Sequence, residues 1–238
     1  MSVPDVIERL RAIESASPRS NGVACFARLY REVTEGVNAE LERQTVADAR
    51  FIAQLDVCFA GLFFSAFEAY RREPGSEPPA WRPLFAGQSA HGVAPLQFAL
   101  AGMNAHINRD LPVALVTTCR KLGLDLGEST PEHADFVRIN ALLAQVEQKI
   151  KRSYVTGVLG TIDRLVHRVH RIDAIVAMWD VARARDAAWT NGQALGALRG
   201  NAALESEFLR TLDRMVGLSS RGLQIPADSL LQQLGRHF

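Results

Sequence analysis

At 238 residues, 47% of them hydrophobic, the chain has enough apolar material to bury a sizeable core as one domain. Its 27 Lys and Arg face 26 Asp and Glu, a formal net charge of +1, which argues against a charge-driven nucleic-acid binder and against a disordered polyelectrolyte. Three cysteines, Cys25, Cys58 and Cys119, show no Cys-x-x-Cys spacing and read as small core thiols in a reducing compartment.

The opening Met1-Ser-Val-Pro-Asp5 carries no basic run leading into an apolar one, so a cytoplasmic location is expected. Val3 to Ala16 has the spacing of a short amphipathic helix, and Pro18 lies in the loop that follows. Val23 to Arg43 is predicted as a second helix, with Phe26, Leu29, Tyr30 and Val33 facing inward. Val46 to Arg72 is apolar around most of its circumference and is predicted to be the buried central helix. It is long enough to raise the question of a membrane span. Asp56 near its middle argues against one, since such a charge costs about 2.5–3.5 kcal/mol at a bilayer centre. Asp56 reads either as the partner of an Arg on a neighbouring helix or as a carboxylate facing a substrate pocket. Residues 71–88 hold Pro74, Pro78, Pro79 and Pro83 and are predicted as an irregular loop covering the bundle, with Trp81 and Phe85 packing it down or capping a pocket mouth.

The stretch from Leu100 to Leu115 carries the densest signal. Leu96, Leu100, Met103 and Ile107 make one apolar helical face, and His106 and Asp110 stand four residues apart at its border. Asn104 and Asn108 form a second such pair on the other flank. Buried polar groups need partners, because an unpaired one costs roughly 1–3 kcal/mol. The pattern therefore calls for a hydrogen-bonded network, a ligand or a metal. Asp110 before Leu111-Pro112 also has the look of an N-cap opening a helix to Leu122.

Beyond a turn at residues 125–131, Phe136, Ile139, Leu143 and Val146 repeat at three and four, with Asn140 beside the stripe. If one helix runs from Ile162 to Trp189, Asp173 and Asp180 sit at the edge of its apolar face, with Arg183 on the core side. Asp180 and Arg183 then either satisfy each other or line a pocket. His170 offers a further ligand, Arg185 and Trp189 further pocket residues, and Asn191-Gly192 reads as a break. Leu198 to Gly217 is predicted as an amphipathic helix with Leu204, Phe208, Leu212 and Met215 inward, followed by a loop and a short closing helix, Ala227 to Leu234. No period-two strand pattern persists. The expectation is an all-α, single-domain bundle of about seven to nine helices over residues 1–238.

Two resemblances attach to these residues. His106-Ile-Asn-Arg-Asp110-Leu-Pro112 resembles the His-x-x-x-Asp helix of the zinc-dependent phospholipases C and single-strand-specific zinc nucleases, though Pro112 comes one position early. That resemblance implies an all-α hydrolase with a zinc cluster. Asn104 to Leu111, Asn140 and Arg185-Asp-Ala-Ala-Trp189 together resemble a bacterial all-helical family of unknown function, over most of the chain; this second resemblance brings no chemistry with it.

The functional expectation is a small-molecule enzyme with a polar site inside the bundle. Its leading form is metal-assisted hydrolysis of an ester or phosphoester, with zinc or iron on His106, Asp110 and His170. The catalytic set is His106, Asp110, Asn104, Asn108, Asp173, Asp180 and Arg183. The pocket set is Asp56, Asn140, Trp81, Arg185 and Trp189. The alternatives are a metal-free acid–base cyclase, lyase or isomerase of secondary metabolism, and a non-catalytic interaction protein whose polar stripe fixes helix register. The expected partner is a small molecule, with neither nucleic acid nor a membrane span.

Overall fold

Side-chain caps set where the helices begin. A computed structural model describes residues 1–140, 142–143 and 180–226. Ser2 and Asp5 cap each other's backbone N–H groups at the start of α1 (Val3–Ser15). Asn21 accepts from Val23 and Ala24 to open α2 (Gly22–Glu42), and Asp48 accepts from Phe51 to open α3 (Ala49–Arg72). The next elements are α4 (Arg82–Gly87), α5 (Pro95–Ala105), a π turn (His106–Asp110) and α6 (Leu111–Leu122). Helix α7 covers residues 131–140, with Thr130 Oγ1 accepting from the His133 N–H. Helices α8 (Val181–Ala197) and α9 (Ala202–Leu223) complete the described bundle, which contains no strand among the described residues. The fold is an all-α, single-domain bundle, as the periodicity predicts.

Helix α5 lies at the centre. Each of its residues from Leu96 to Ala105 is buried, with α2 and α9 packed against it and the π turn and α6 continuing from it. The all-round burial expected of the third helix therefore belongs to α5. On α3, Phe51, Ile52, Leu55, Phe63 and Phe64 are buried, while Val57, Phe59, Leu62 and Phe67 are only partly so. Among the described residues α3 is the one helix long and apolar enough to cross a membrane by length and composition, and it packs on the core of the bundle. An aromatic cluster joins the layers: the Phe26 ring lies 4.9 Å from Phe63 and 5.2 Å from Trp81, both edge-on.

The close approach of α2 to α5 depends on Gly102. A Cβ there would overlap the Phe26 ring and come within 2.9 Å of its Cβ. Alanine favours a helix over glycine by about 1 kcal/mol, yet Gly102→Ala is expected to destabilise the protein by roughly 1–3 kcal/mol through overpacking. Urea denaturation of the variant checks this.

Four segments depart from the sequence expectations. The irregular stretch 71–88 contains α4, with Pro83 in its first turn and Trp81 and Phe85 wholly buried. No single helix runs through residue 180: Asp180 is extended and caps α8. Asn191-Gly192 does not break α8, because Gly192 lies against Leu115 and Leu126, where the absence of a side chain allows close packing. Helix α9 starts at Asn201 and runs on to Leu223, turned from its expected phase: Leu204 and Met215 are exposed, whereas Asp213, Val216, Gly217 and Ser220 are buried. Polar partners decide that phase, since Asp213 meets Arg109, and Ser219 and Ser220 meet Asn104.

Candidate active site

The site starts from an irregularity in a continuous helical run. Pro112 has no N–H to give to a carbonyl one turn back, and in a regular α-helix its ring would strike the Asn108 carbonyl. The chain widens into the π turn just before it, with the Leu111 N–H donating to the His106 carbonyl. Asp110 makes no cap hydrogen bond with its side chain, contrary to the N-cap expectation. Its carboxylate turns inward.

There it receives three N–H groups. Oδ2 accepts from Trp81 Nε1 at 3.0 Å and lies 3.1 Å from His106 Nδ1, and Oδ1 accepts from Arg109 Nη1 at 2.9 Å. Arg109 Nε also donates to Asp213 Oδ1 at 3.1 Å, which fastens α9 to the π turn. Burial works against the Arg109 charge, but Asp110 and Asp213 outweigh it and hold the guanidinium above its ordinary value. Burial raises Asp213 despite Arg109.

His106 is sealed among rings. Its imidazole stacks on Phe59 at 3.4 Å between centroids and 5° between planes, and it meets the Tyr30 ring edge-on at 4.5 Å. Burial lowers its pKa, and contact with Asp110 opposes this only in part, so the ring is neutral at pH 7. Because Asp110 is an acceptor, the ring proton belongs on Nδ1. That leaves the Nε2 lone pair on the opposite edge, and Nε2 is buried with no hydrogen-bond partner.

His106 lines a cavity of about 60 Å³, walled by Val33, Val37, Leu55, Met103, Ile139 and Leu143 among others. Three further polar side chains reach the same space: Tyr30, Asp56 and Arg185. Asp56 Oδ2 is also buried without a hydrogen-bond partner, and Tyr30 Oη makes no hydrogen bond of good geometry, although the Thr34 side chain is close by. Burial raises the Tyr30 hydroxyl well above its usual value, helped by the charges of Asp56 and Asp110 and slightly opposed by Thr34. Burial alone pushes Asp56 up to about 7. Three of the buried polar atoms that lack a well-formed hydrogen bond thus belong to residues lining this one apolar cavity, and each costs stability while unpaired.

The sequence-predicted residues divide into clear groups. His106, Asp110, Asp56, Arg185 and Trp81 come together at or behind the cavity. Asn140 stands one step away, accepting from Arg185 Nε at 2.6 Å. Asn104 and Asn108 serve packing: Asn104 Nδ2 reaches the Val216 carbonyl and the hydroxyls of Ser219 and Ser220, and Asn108 donates to Asn104. Trp189 is buried against Phe136 and His133, away from the cavity lining. Asp180 is the exposed cap of α8, and the Arg183 side chain is 87% exposed, so neither lies in the pocket. Asp173, His170 and the predicted closing helix lie outside the described residues.

Of the three metal ligands expected from sequence, His106 lines the cavity and has Nε2 unpartnered, while both oxygens of Asp110 are taken up by N–H donors, on the Nδ1 side of the imidazole. One ion cannot bind His106 through Nε2 and Asp110 together in this arrangement. Among the described residues no cluster of three or more His, Cys, Asp or Glu has metal-holding geometry.

Tyr30, Arg109 and Asp213 were not foreseen as site residues. Tyr30 sits in the inward stripe with Phe26, Leu29 and Val33, and its hydroxyl was the available signal. A family model described as a family of unknown function (DUF5995) matches residues 3–226. No curated protein and no solved structure matches the chain.

Proposed function

The chain belongs to the DUF5995 family, whose description assigns no chemistry, and from the cavity we propose that it is a small-molecule acid–base enzyme in which His106 is the general base. The observation that carries this reading is the buried, unpartnered Nε2 of an imidazole whose other nitrogen is held by Asp110. A base so oriented has its lone pair fixed toward the substrate and its conjugate acid stabilised from behind, an arrangement that contributes about 10²–10⁴-fold in rate.

In the proposed step Nε2 takes a proton from carbon or oxygen of the substrate, and the imidazolium that forms is neutralised by Asp110. The electron pair left behind moves onto a substrate oxygen. Tyr30 Oη donates a hydrogen bond to that oxygen, or Asp56, which burial keeps partly protonated near pH 7, gives it a proton. Return of the proton from His106 to a different atom, with any proton lent by Asp56 going back to it from the oxygen, completes an isomerisation. Collapse of the electron pair with departure of a leaving group, which carries off its own bonding pair and takes the proton from His106, completes an elimination. An intramolecular attack would make the same groups a cyclase.

Metal-assisted hydrolysis is a second reading, favoured by one observation: a His braced by a carboxylate is also the arrangement of a metal-ligating imidazole. In that reading His106 Nε2 is the ligand and Asp110 orients it.

Deuterium exchange separates the two. Acetoacetate incubated in D2O with the protein is expected to exchange its acidic C–H, about 100-fold or more slower with His106→Gln and unchanged by EDTA. Abolition by EDTA favours the metal. Equal exchange by the variant, or a ¹⁵N NMR spectrum at pH 7 with the His106 proton on Nε2, overturns the base assignment.

A further inference from the structure

Arg185 is a buried cation whose partners among the described residues are all neutral. Its guanidinium is buried, donates from Nε to Asn140 Oδ1 at 2.6 Å and from Nη2 to the Phe136 carbonyl at 2.9 Å, and stacks over the Phe136 ring at 3.9 Å. Both of those acceptors are neutral. Among the described residues no carboxylate forms an ion pair with it. Asp56, the carboxylate that lines the same cavity, is shifted by burial alone and forms no salt bridge with Arg185. Burial pulls the guanidinium down to about 9, with only Asp186 opposing. A buried cation without an anion is strongly unfavourable.

Two contacts clamp Arg185 to α7, and among the described residues these account for two of its five N–H groups. The residue lines the same cavity as His106, Tyr30 and Asp56. A guanidinium offers a planar fork that matches a carboxylate. The remaining wall is aliphatic and aromatic, and about 60 Å³ corresponds to roughly four water positions. That space suits a short organic chain.

We infer that the natural ligand of this cavity is a small monocarboxylate, its charge held by Arg185 and its apolar chain laid along Val33, Leu55 and Met103 toward His106. The inference deepens the acid–base reading, because it places the substrate's anchor at one group and its reacting atom at another. It also gives Arg185 a role distinct from that of the α7 clamp, and it predicts that uncharged isosteres bind poorly.

The test uses butyrate and its neutral isostere butyramide, at matched ionic strength and pH 7.5, with binding read by calorimetry and by thermal upshift. Butyrate is expected to bind at least ~10-fold more tightly than butyramide to the wild-type protein. Arg185→Gln is expected to abolish that preference, and Arg185→Lys, which keeps the charge but loses the fork, to restore part of it. His106→Gln is expected to keep it. Equal binding of butyrate and butyramide by the wild-type protein, or the same preference in a folded Arg185→Gln, overturns the carboxylate assignment. The wild-type comparison stands even if the Gln variant fails to fold. The acid–base reading fails separately, when exchange is indifferent to His106 while the carboxylate preference holds.

Discussion

Asp110→Ala is expected to lose about 3–5 kcal/mol of folding free energy, the range for removing one member of a buried charged pair. The cause is not the missing methylene and carboxylate contacts but what they leave behind. The Arg109 guanidinium keeps only Asp213 as an acceptor, and the Trp81 Nε1–H and the His106 Nδ1–H have none. Asp110→Asn separates this structural loss from the chemical one. The amide keeps the shape and one acceptor oxygen. If it turns Nδ2 toward His106, the imidazole must accept there and carry its proton on Nε2, so the base is lost while the fold persists. Exchange of acetoacetate is then expected to fall ~10²–10⁴-fold in a protein that still unfolds cooperatively. Equilibrium denaturation in urea gives the first effect, and the exchange rate with ¹⁵N NMR gives the second. An Ala variant within about 1 kcal/mol of the parent would mean that the three donors find other acceptors and that the network does not govern the site.

The His106–Asp110 pair was legible in sequence because its spacing survives the change from an α turn to a π turn: residues four apart stay neighbours in both. Asp56 was legible as an anomaly, an acid in the apolar middle of a helix. Its environment was not, because whether a neighbouring helix brings an Arg depends on tertiary packing. Tyr30 differs from the phenylalanines around it by one oxygen, and nothing local says whether that oxygen finds a partner. The phase of α9 was misread for a related reason. Counting Leu, Phe and Met places Met215 inward, whereas the helix is turned by Asp213 toward Arg109 and by two serines toward Asn104. Asp180 and Arg183 were drawn into the candidate set by assuming one unbroken helix; a cap at Asp180 removes that geometry.

Asp56 sets the second large effect, and its sign follows from its position. Burial raises its pKa from 3.8 to about 7, so between those values the folded protein holds a proton that the unfolded chain has released. Stability contributed by this group is complete below about pH 4, declines as pH rises through 7, and differs by about 4 kcal/mol between the two ends. His106 acts in the opposite direction. Its folded value lies below the ordinary one, so acidification below about 6.5 protonates the unfolded chain first and costs the folded state stability. The wild-type profile is therefore expected to carry two opposing slopes on the acid side of pH 7, while Asp56→Asn leaves the His106 slope unopposed by Asp56 and loses more stability on acidification. Among the other groups at the cavity, Tyr30 is raised well above 10 and Arg185 stands near 9, so neither titrates in that window. Urea denaturation of both proteins across pH 4.5–8 isolates Asp56 as the difference between the two curves. Parallel curves, within about 1 kcal/mol, would mean that the carboxyl is not held protonated. The same proton connects stability to activity: with Asp56 as donor, exchange falls as pH rises through about 7, whereas a rate that persists to pH 9 assigns the donor's role to Tyr30.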